Sequence, residues 1–519
     1  MSPLVKQSLV AASLVTIITN ILGRGVGYIR EAVIAGYFGT SATYDTFLLA
    51  FTIPELISFI LFAALPATVI PWMKRRAPRD AQEETNLFWS GLLGCAITFG
   101  LLAAVIYLLR GSILTVLGPK LVGLERDTGA RLAGIVAPFI FFRGMEAYVR
   151  SYLFDKKHFV VPATSPIVAN LATLAAMFLL YEKLNIDSLA WGWLTASVIV
   201  FAYNGLYALH LVGPPDWSGL TVRPLGMLLK LAAGACFLES ITLVYPAIDR
   251  FLAAAYLGPG QIAALRYATF LIHLPTGMFV VSFSLASFPW ISDLSSPADS
   301  ERLRKLYAEG IRLVTFVMGL AAVAMVVFTS DIVRVSFQRG AFDDVSLALT
   351  RGPLVCFAVG ILFFSVYVLQ TRFYYARRLL LRLAVILGGM LAVKGLLSLI
   401  LVGPLEHSGL ALATSITWAC GCVVMTLDCS RAMDLTVRSW LNSDTLKLLV
   451  CMAAVAALWV LMAYFWRSKE TDVLVTVFVR LAVMGVLGTT LYVGLAHLLK
   501  LPESRRLIGS LVGALRPSR

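Results

Sequence analysis

The sequence IREAVIAGYFGTSATYDTFLLAFTIP at residues 29–54 recurs in altered form at residues 248–275, as IDRFLAAAYLGPGQIAALRYATFLIHLP. Ionisable residues occupy the same two positions in both copies, as Arg30-Glu31 and as a second pair in the reverse order. A charge in an apolar span costs at least about 2.5–3.5 kcal/mol, so paired charges indicate a duplicated segment with a function. At an offset of 219, Ile29 falls on Ile248, Ala35 on Ala254, Tyr37 on Tyr256, and Gly39 on Gly258.

Composition is typical of a polytopic membrane protein. Of the 519 residues, 59% are hydrophobic and 14% are charged, and the mean hydropathy is +0.84. Apolar runs of about 20 residues, long enough to cross a bilayer, recur from end to end. Windowed hydropathy therefore predicts an all-α membrane protein of about fourteen transmembrane helices. The predicted spans lie near residues 8–37, 43–73, 85–109, 127–153, 159–181, 188–213, 226–256, 261–291, 306–328, 347–372, 380–402, 407–430, 444–466 and 472–498.

The net charge of +14 does not indicate a nucleic-acid-binding protein, because the basic residues are not spread over one surface. Most of them fall in alternate loops, as the positive-inside rule requires, and this pattern places both termini in the cytoplasm. The basic loops and the tail contain Lys74, Arg75, Arg76 and Arg79; Lys156 and Lys157; Arg302, Arg304 and Lys305; Arg377, Arg378 and Arg382; and Lys500.

The repeat extends beyond its first two helices. FFRGMEAYVRSYLFDKKHF at residues 141–159 aligns with FFSVYVLQTRFYYARRLLL at residues 363–381, which places Arg150 on Arg372. An even number of helices per copy inserts both halves the same way up, as in transporters whose repeats are related by an axis along the membrane normal. We therefore expect a substrate path between the halves. The predicted divisions are a six-helix lobe at 1–214, a second six-helix lobe at 215–432, and two further helices with a basic tail at 433–519.

Pro54 and Pro275 fall inside corresponding helices of the two copies. A proline inside a helix removes one backbone hydrogen bond and bends the helix. Their paired occurrence predicts a cavity-forming bend in each lobe.

Charged side chains inside predicted spans are the candidate functional residues. Arg24 and Arg30 lie six residues apart on one helix, about 9 Å along its axis. Arg143, Glu146 and Arg150 form a single stripe on the fourth helix, at positions i, i+3 and i+7. Such groups avoid lipid, so we expect them to line a watery cavity or to pair. The remaining candidates are Asp45, Glu55, Glu239, Asp249, Arg250, Arg266 and Lys394.

One interpretation of these charges is structural ion pairing between helices. It would join Arg30 with Glu31 and Asp45, and Asp249 with Arg250. On this interpretation the charges stabilise the helix bundle and carry no ligand.

Two other interpretations are functional, and both can hold together. In the first, Arg24, Arg30 and Arg266 line an anion-binding cavity for a phosphate-bearing substrate, because a guanidinium is always charged and binds phosphate through two hydrogen bonds. In the second, Asp249 and polar groups of helices 11 and 12 form an ion-coupling site. The sequence contains no phosphate loop, HExxH motif or nucleophile elbow, so it predicts a transporter and not an enzyme.

Four passages resemble the MurJ/MviN family of lipid II flippases, within the multidrug/oligosaccharidyl-lipid/polysaccharide exporter superfamily. They are GRGVGYIREAVIAGYFGTSATYDTFLLAFTIPEL at 23–56, IDRFLAAAYLGPGQIAALRYA at 248–268, FQRGAFD at 337–343 and GLALATS at 409–415. The resemblance spans nearly the whole chain.

The resemblance implies two six-helix lobes that alternate in exposing a central cationic cavity, plus two C-terminal helices. Its substrate would be an undecaprenyl-diphosphate-linked glycan, with lipid II the leading candidate, carried across the bacterial cytoplasmic membrane. The alternatives are an exopolysaccharide or other lipid-linked oligosaccharide intermediate, and a multidrug exporter. Family roles carry over to Arg24, Arg30 and Asp45 for the substrate, and to Asp249 and Thr414 for a cation. We expect a monomer in the bilayer with no cofactor except a coupling ion, H⁺ or Na⁺.

The chain departs from the family pattern at several positions. Ile57-Ser58-Phe59 and Phe62-Ala63-Ala64 replace an Arg-Arg pair and an Ala-Glu-Gly sequence after the helix 2 proline. Phe270 replaces an arginine of helix 8, and Arg266, one turn earlier, is predicted to project its guanidinium into the same space. Lys394 replaces an asparagine of helix 11, and its ammonium group is predicted to replace a bound cation beside Asp249.

Overall fold

A computed structural model describes residues 9–76, 80–215, 220–221, 240–294, 300–432, 443–466 and 473–504. Within these ranges the regular elements are helices, and no strand occurs. Eleven of the helices are long and apolar enough to cross a membrane. The prediction of an all-α polytopic membrane protein is confirmed, and about fourteen helices fit.

The chain divides into two compact units, Met1–Ala263 and Ala264–Arg519. The repeat in the sequence instead begins the second lobe at residue 215, and those lobe boundaries stay a prediction. The described helices of the first unit are α1, Leu9–Phe38; α2, Ala42–Arg76; α3, Ala81–Leu117; α4, Gly123–Val136; α5, Phe139–Asp155; α6, Val160–Leu184; α7, Asp187–Val212; and α8, Tyr245–Tyr256.

The boundary between the two units falls in the first turn of α9, Gln261–Pro275, between Ala263 and Ala264. After Pro275 the helix changes to a π-helical turn, Thr276–Val281, whereas α2 runs through Pro54 as one α-helix. The backbone hydrogen-bonding pattern therefore changes after Pro275 but not at Pro54. The other described helices are α10, Ser282–Asp293; α11, Ser300–Val327; α12, Thr329–Phe337; α13, Asp344–Ala376; α14, Leu380–Ala432; α15, Ser443–Phe465; and α16, Leu474–Leu498.

One of the predicted spans differs in form from the structure. The fourth predicted span is two helices, α4 and α5, with a break at Pro138. The eleventh and twelfth spans lie on either side of a sharp bend within α14, at the non-helical residue Glu406, where φ is 50° and ψ is −138°. The chain after this bend packs so closely that a Cβ at Gly409 would overlap the backbone carbonyl of Leu401. Only glycine fits there, which explains the glycine at the start of the GLALATS motif.

Aromatic side chains hold the first unit together where α2, α3 and α5 meet. Trp72, Phe88, Tyr148 and Tyr152 are all buried in one cluster. The buried hydroxyls also find acceptors: Tyr148 Oη donates to Phe88 O at 2.9 Å, and Tyr152 Oη donates to Glu84 Oε1 at 2.8 Å. Large aromatic burial with satisfied hydroxyls fixes the position of α5, the helix that carries the charged stripe.

The two C-terminal helices, α15 and α16, pack against α11 and α12 of the second unit. Tyr492 Oη donates to Phe316 O at 2.9 Å, and Trp459 Nε1 donates to Met484 O at 2.7 Å. Arg480 of α16 forms a buried ion pair with Asp331 of α12. These helices stand outside the sequence repeat but are integral to the second unit.

Candidate functional site

Arg30 is held in place by three neighbours in the first unit. Its Nη1 donates to Asn170 Oδ1 at 2.7 Å, its Nη2 lies 3.0 Å from Glu31 Oε2, and its Cζ lies 4.6 Å from the centroid of a Trp193 ring. The side chain is 8% exposed, and its Nε has no hydrogen-bond partner among the described residues. Arg30 is thus fixed and charge-balanced by Glu31, and its Nε donor is left over for a ligand.

Arg24 lies on the same helix and is more exposed than Arg30. Asn170 joins α6 to α1 at the residue before Arg24, because its Nδ2 donates to Gly23 O at 3.2 Å. A Cβ at Gly27 would lie only 3.3 Å from the same Nδ2 atom. The small residues of α1 therefore allow α6 to approach closely enough for Asn170 to reach Arg30.

Asp45 has a different partner from the one predicted. Its Oδ2 accepts a hydrogen bond from Gly260 N at 2.6 Å, and its Oδ1 accepts one from Ala263 N at 2.7 Å. The carboxylate therefore caps the N-terminal turn of α9, where unpaired backbone N–H groups favour a negative charge. The predicted ion-pair grouping forms only between Arg30 and Glu31, because Asp45 bonds to backbone instead. A role for Asp45 in substrate binding stays a prediction.

Arg250 clamps α8 to α2 next to the helix 2 proline. Its Nη2 lies 2.6 Å from Glu55 Oε2, and its Nη1 donates to Thr52 Oγ1 at 3.1 Å and to Leu48 O at 3.2 Å. Arg250 and Glu55 are 8% and 12% exposed at their side chains. Arg250 thus pairs with Glu55 of α2. Its predicted pairing with its neighbour Asp249 stays a prediction.

The stripe on α5 begins with an ion pair. Arg143 pairs with Glu146, and its Nε donates to Ser58 Oγ at 3.2 Å. Its Cζ also lies 3.8 Å from the centroid of the Phe62 ring, within cation–π range. Ser58 and Phe62 are two of the departures from the family pattern, so those departures form the surroundings of Arg143.

Arg150, two turns beyond Arg143 on α5, contacts two aromatic rings. Its Cζ lies 5.3 Å from the Phe62 centroid and 5.2 Å from the Phe154 centroid, and it forms no ion pair or hydrogen bond with any described residue. Its equivalent in the repeat, Arg372, likewise lies over an aromatic ring, 6.0 Å from the centroid of Tyr375. A guanidinium has five donors, so the donors of Arg150 are available to an anion.

The second unit contains a buried lysine at the bend of α14. Lys394 is 0% exposed, and its Nζ donates to Leu410 O at 3.0 Å. Thr414 Oγ1 donates to the same carbonyl at 3.1 Å. Ser398, one turn beyond Lys394, is also 0% exposed, and its Oγ has no hydrogen-bond partner among the described residues. The predicted cation-site residue Thr414 therefore does lie beside Lys394.

The structure leaves several predicted roles untested. Glu239 lies outside the described residues. Asp249 is buried, but it belongs to the first unit and Lys394 to the second, so their pairing stays a prediction. Arg266 is partly buried on α9, and its replacement of the family arginine missing at Phe270 also stays a prediction.

The pattern of charges does not reveal the neutral residues that position these arginines: Asn170, Trp193, Thr52, Ser58 and Phe62. Each is far along the chain from the arginine that it contacts. An asparagine or a serine in an apolar span is a weak signal by itself, and an aromatic residue there is none.

Comparison with known proteins identifies the family. Residues 34–481 match the family model described as "Lipid II flippase MurJ". The chain belongs to the lipid II flippase MurJ family. It is 26% identical over 457 residues to "Probable lipid II flippase MurJ" of Rhizobium tropici, covering 85% of this chain and 84% of that one. It is 24% identical over 419 residues to "Lipid II flippase MurJ" of Burkholderia cenocepacia, covering 76% and 79%.

Solved structures of the MurJ family and of related exporters share the fold. "Lipid II flippase MurJ, inward closed conformation" matches with a TM-score of 0.79 at 20% identity, covering 95% of this chain and all of that one. An inward-facing multidrug resistance MATE transporter of the MOP superfamily matches with a TM-score of 0.67 at 13% identity, covering 81% and 98%. The family predicted from the four sequence passages is confirmed.

Proposed function

We propose that this chain is a flippase that moves lipid II across the cytoplasmic membrane of a bacterium. The observation that carries the proposal is the match of residues 34–481 to the MurJ family, which spans most of both units. The alternating access of two lobes, which the repeat in the sequence predicts, would carry the glycan head group from the inner to the outer leaflet.

The arginines of α1 fit the diphosphate of such a substrate. Arg30 is fixed by Asn170, Glu31 and Trp193 before any ligand arrives, so little conformational entropy would be lost on binding. Arg24 adds a second guanidinium on the same helix. Because a guanidinium stays charged at any physiological pH and matches phosphate geometry, this pair suits a phosphate-bearing head group better than an amphipathic cation.

Arg150 would be a further phosphate-binding arginine, at the cytoplasmic side of the membrane. It lies near the end of α5, just before the basic loop that contains Lys156 and Lys157, and the positive-inside rule places that loop in the cytoplasm. Its free donors would meet the substrate phosphates at the inner leaflet. The same rule places both termini in the cytoplasm, which reporter fusions to each end would test.

Genetic complementation, followed by a reconstituted assay, tests the proposed function. We expect the chain to restore growth to a bacterium depleted of its own lipid II flippase, and to move lipid II across the bilayer of proteoliposomes. Growth without lipid II movement would favour another lipid-linked oligosaccharide as substrate. Failure of both, with the protein present in the membrane, would exclude a lipid II flippase.

The control for these assays is a variant of an exposed arginine. Arg131 is 56% exposed at its side chain and pairs with Asp187 at 3.0 Å on the surface of the first unit. Arg131→Ala removes one positive charge without touching the buried arginines, so it should complement and flip as the wild type does.

A further inference from the structure

The cation site implied by the family resemblance can be tested against the residues that occupy it here. That resemblance places a cation beside Thr414 in the second unit. In this chain the Nζ of Lys394 lies 3.0 Å from Leu410 O, the carbonyl to which Thr414 Oγ1 also donates. The ammonium group and the predicted ligand Thr414 thus share one acceptor.

The oxygen atoms around this position would suit a hard cation if the lysine were absent. Leu410 supplies a backbone carbonyl and Thr414 supplies a hydroxyl that bonds to it, and both residues are buried. Carbonyl and hydroxyl oxygens are the ligands that alkali and alkaline-earth ions prefer. A metal ion placed at Leu410 O would lie next to the ammonium group, and two like charges in a buried site repel strongly.

The backbone fixes the ammonium in this position. Lys394 and Leu410 lie on opposite sides of the bend at Glu406, and Gly409 lets the chain after the bend pack against Leu401. The lysine is 0% exposed, and its Nζ donates to a carbonyl from beyond the bend. As long as the bend is intact, this hydrogen bond keeps the ammonium group at this position.

We propose that the ammonium group of Lys394 is a built-in cation that occupies the metal-ion position of the second unit, so that this site works without sodium. The shared acceptor supports the proposal, because the ammonium group and Thr414 Oγ1 both bond to Leu410 O. The inference concerns the ion requirement and not the substrate, so it stands or falls separately from the flippase proposal.

Thermal unfolding of the purified full-length protein tests this inference without a substrate. We expect wild-type protein to unfold at the same temperature in NaCl, KCl and N-methyl-D-glucamine chloride at equal ionic strength. Lys394→Ala should lower the unfolding temperature, and NaCl or methylammonium chloride should restore several degrees of it in a saturable way, since a ligand that binds only the folded state stabilises it. N-methyl-D-glucamine is too large to enter and should restore nothing.

Two matched variants separate this effect from a general one. Lys394→Met removes the charge but fills the same volume, so it should be destabilised and should not respond to small cations. Lys305→Ala removes an exposed lysine and should behave as the wild type in every salt.

Two results would overturn the inference. One is saturable stabilisation of the wild type by sodium that Thr414→Val abolishes, because an exchangeable metal ion would then bind beside the ammonium. The other is a folded Lys394→Ala protein that responds to no small cation. If that variant does not fold, the salt comparison on wild-type protein decides alone.

Discussion

The guanidinium of Arg250 lies 2.6 Å from the carboxylate of Glu55, the residue that directly follows the proline of α2. The same guanidinium donates to Leu48 O, which lies six residues before that proline. A proline leaves the preceding turn short of one backbone hydrogen bond. Arg250 therefore bonds to α2 on both sides of Pro54. In this way α8 stabilises α2 where the proline removes a backbone hydrogen bond.

Loss of Arg250 should destabilise the protein strongly. Arg250→Ala leaves the buried Glu55 carboxylate without its counter-charge, and removing one partner of a buried pair costs about 3–5 kcal/mol. Glu55→Gln combined with Arg250→Gln should be milder than Arg250→Ala, because neither partner is then a buried unpaired charge. Chemical unfolding in detergent measures the difference. Equal losses of unfolding free energy in the single and double variants would contradict this stabilising role of Arg250.

The arginines of α1 should be required for transport and not for insertion. We expect Arg24→Ala and Arg30→Ala to abolish flipping while the protein still accumulates in the membrane. Arg30→Lys should recover little activity, because an ammonium cannot replace the fork that reaches Asn170 and Glu31 together. Complementation and the proteoliposome assay measure this, and wild-type activity in both alanine variants would remove the assignment.

Substitution of Arg143 should mainly lower the stability of the protein, whereas substitution of Arg150 should mainly lower the flipping rate. Arg143→Gln leaves Glu146, which is 1% exposed, without its ion-pair partner, so it should lower the free energy of unfolding by about 3–5 kcal/mol. Arg150→Gln gives up only ring contacts, about 1–2 kcal/mol. Its flipping rate should nevertheless fall about ten- to a hundredfold, because a charge-assisted hydrogen bond to phosphate is worth about 1.5–3 kcal/mol. A normal flipping rate for Arg150→Gln would contradict the phosphate role.

Near the bend of α14, an added methyl group should lower stability at Gly409 but be tolerated at Gly403. Gly409→Ala would force a Cβ into the Leu401 carbonyl, and such overpacking costs about 1–3 kcal/mol. Gly403, on the other side of the bend, has nothing within 4 Å of an added Cβ. Gly403→Ala should thus be neutral or slightly stabilising. Thermal unfolding of the two variants checks the difference, and similar unfolding temperatures would show that the bend is looser than described.

The last residue of the FQRGAFD motif should contribute a pH-dependent helix cap. Asp343 Oδ1 accepts a hydrogen bond from Ser346 N at 2.9 Å, and this bond lowers the pKa of the Asp343 carboxyl. Asp343→Ala should cost about 0.5–2 kcal/mol at neutral pH. Because the folded pKa is depressed, this contribution is present above the unfolded pKa of 3.8 and is lost as the pH falls through the lower, folded pKa. The gap between wild type and Asp343→Ala should therefore close in acid, and a gap that persists there would argue against the cap.

Much of the fold was predictable because a bilayer imposes long apolar helices, and the stripe at Arg143, Glu146 and Arg150 followed from helical spacing. The partners of other charges were not predictable. The residues that contact Arg30 and Arg250 come from helices far along the chain, and only packing brings them together. The partner of Lys394 could not be predicted at all, because its acceptor is the backbone carbonyl of Leu410. Every residue has such a carbonyl, so the sequence does not indicate which one accepts.

The ion pair between Asp331 and Arg480 constrains the order in which the protein can be completed during synthesis. Asp331 emerges from the ribosome well before Arg480, and its side chain is only 14% exposed in the finished unit. Until α16 is synthesised, that carboxylate lacks the counter-charge of Arg480. A chain that ends before α16 therefore cannot form this buried ion pair between α12 and α16.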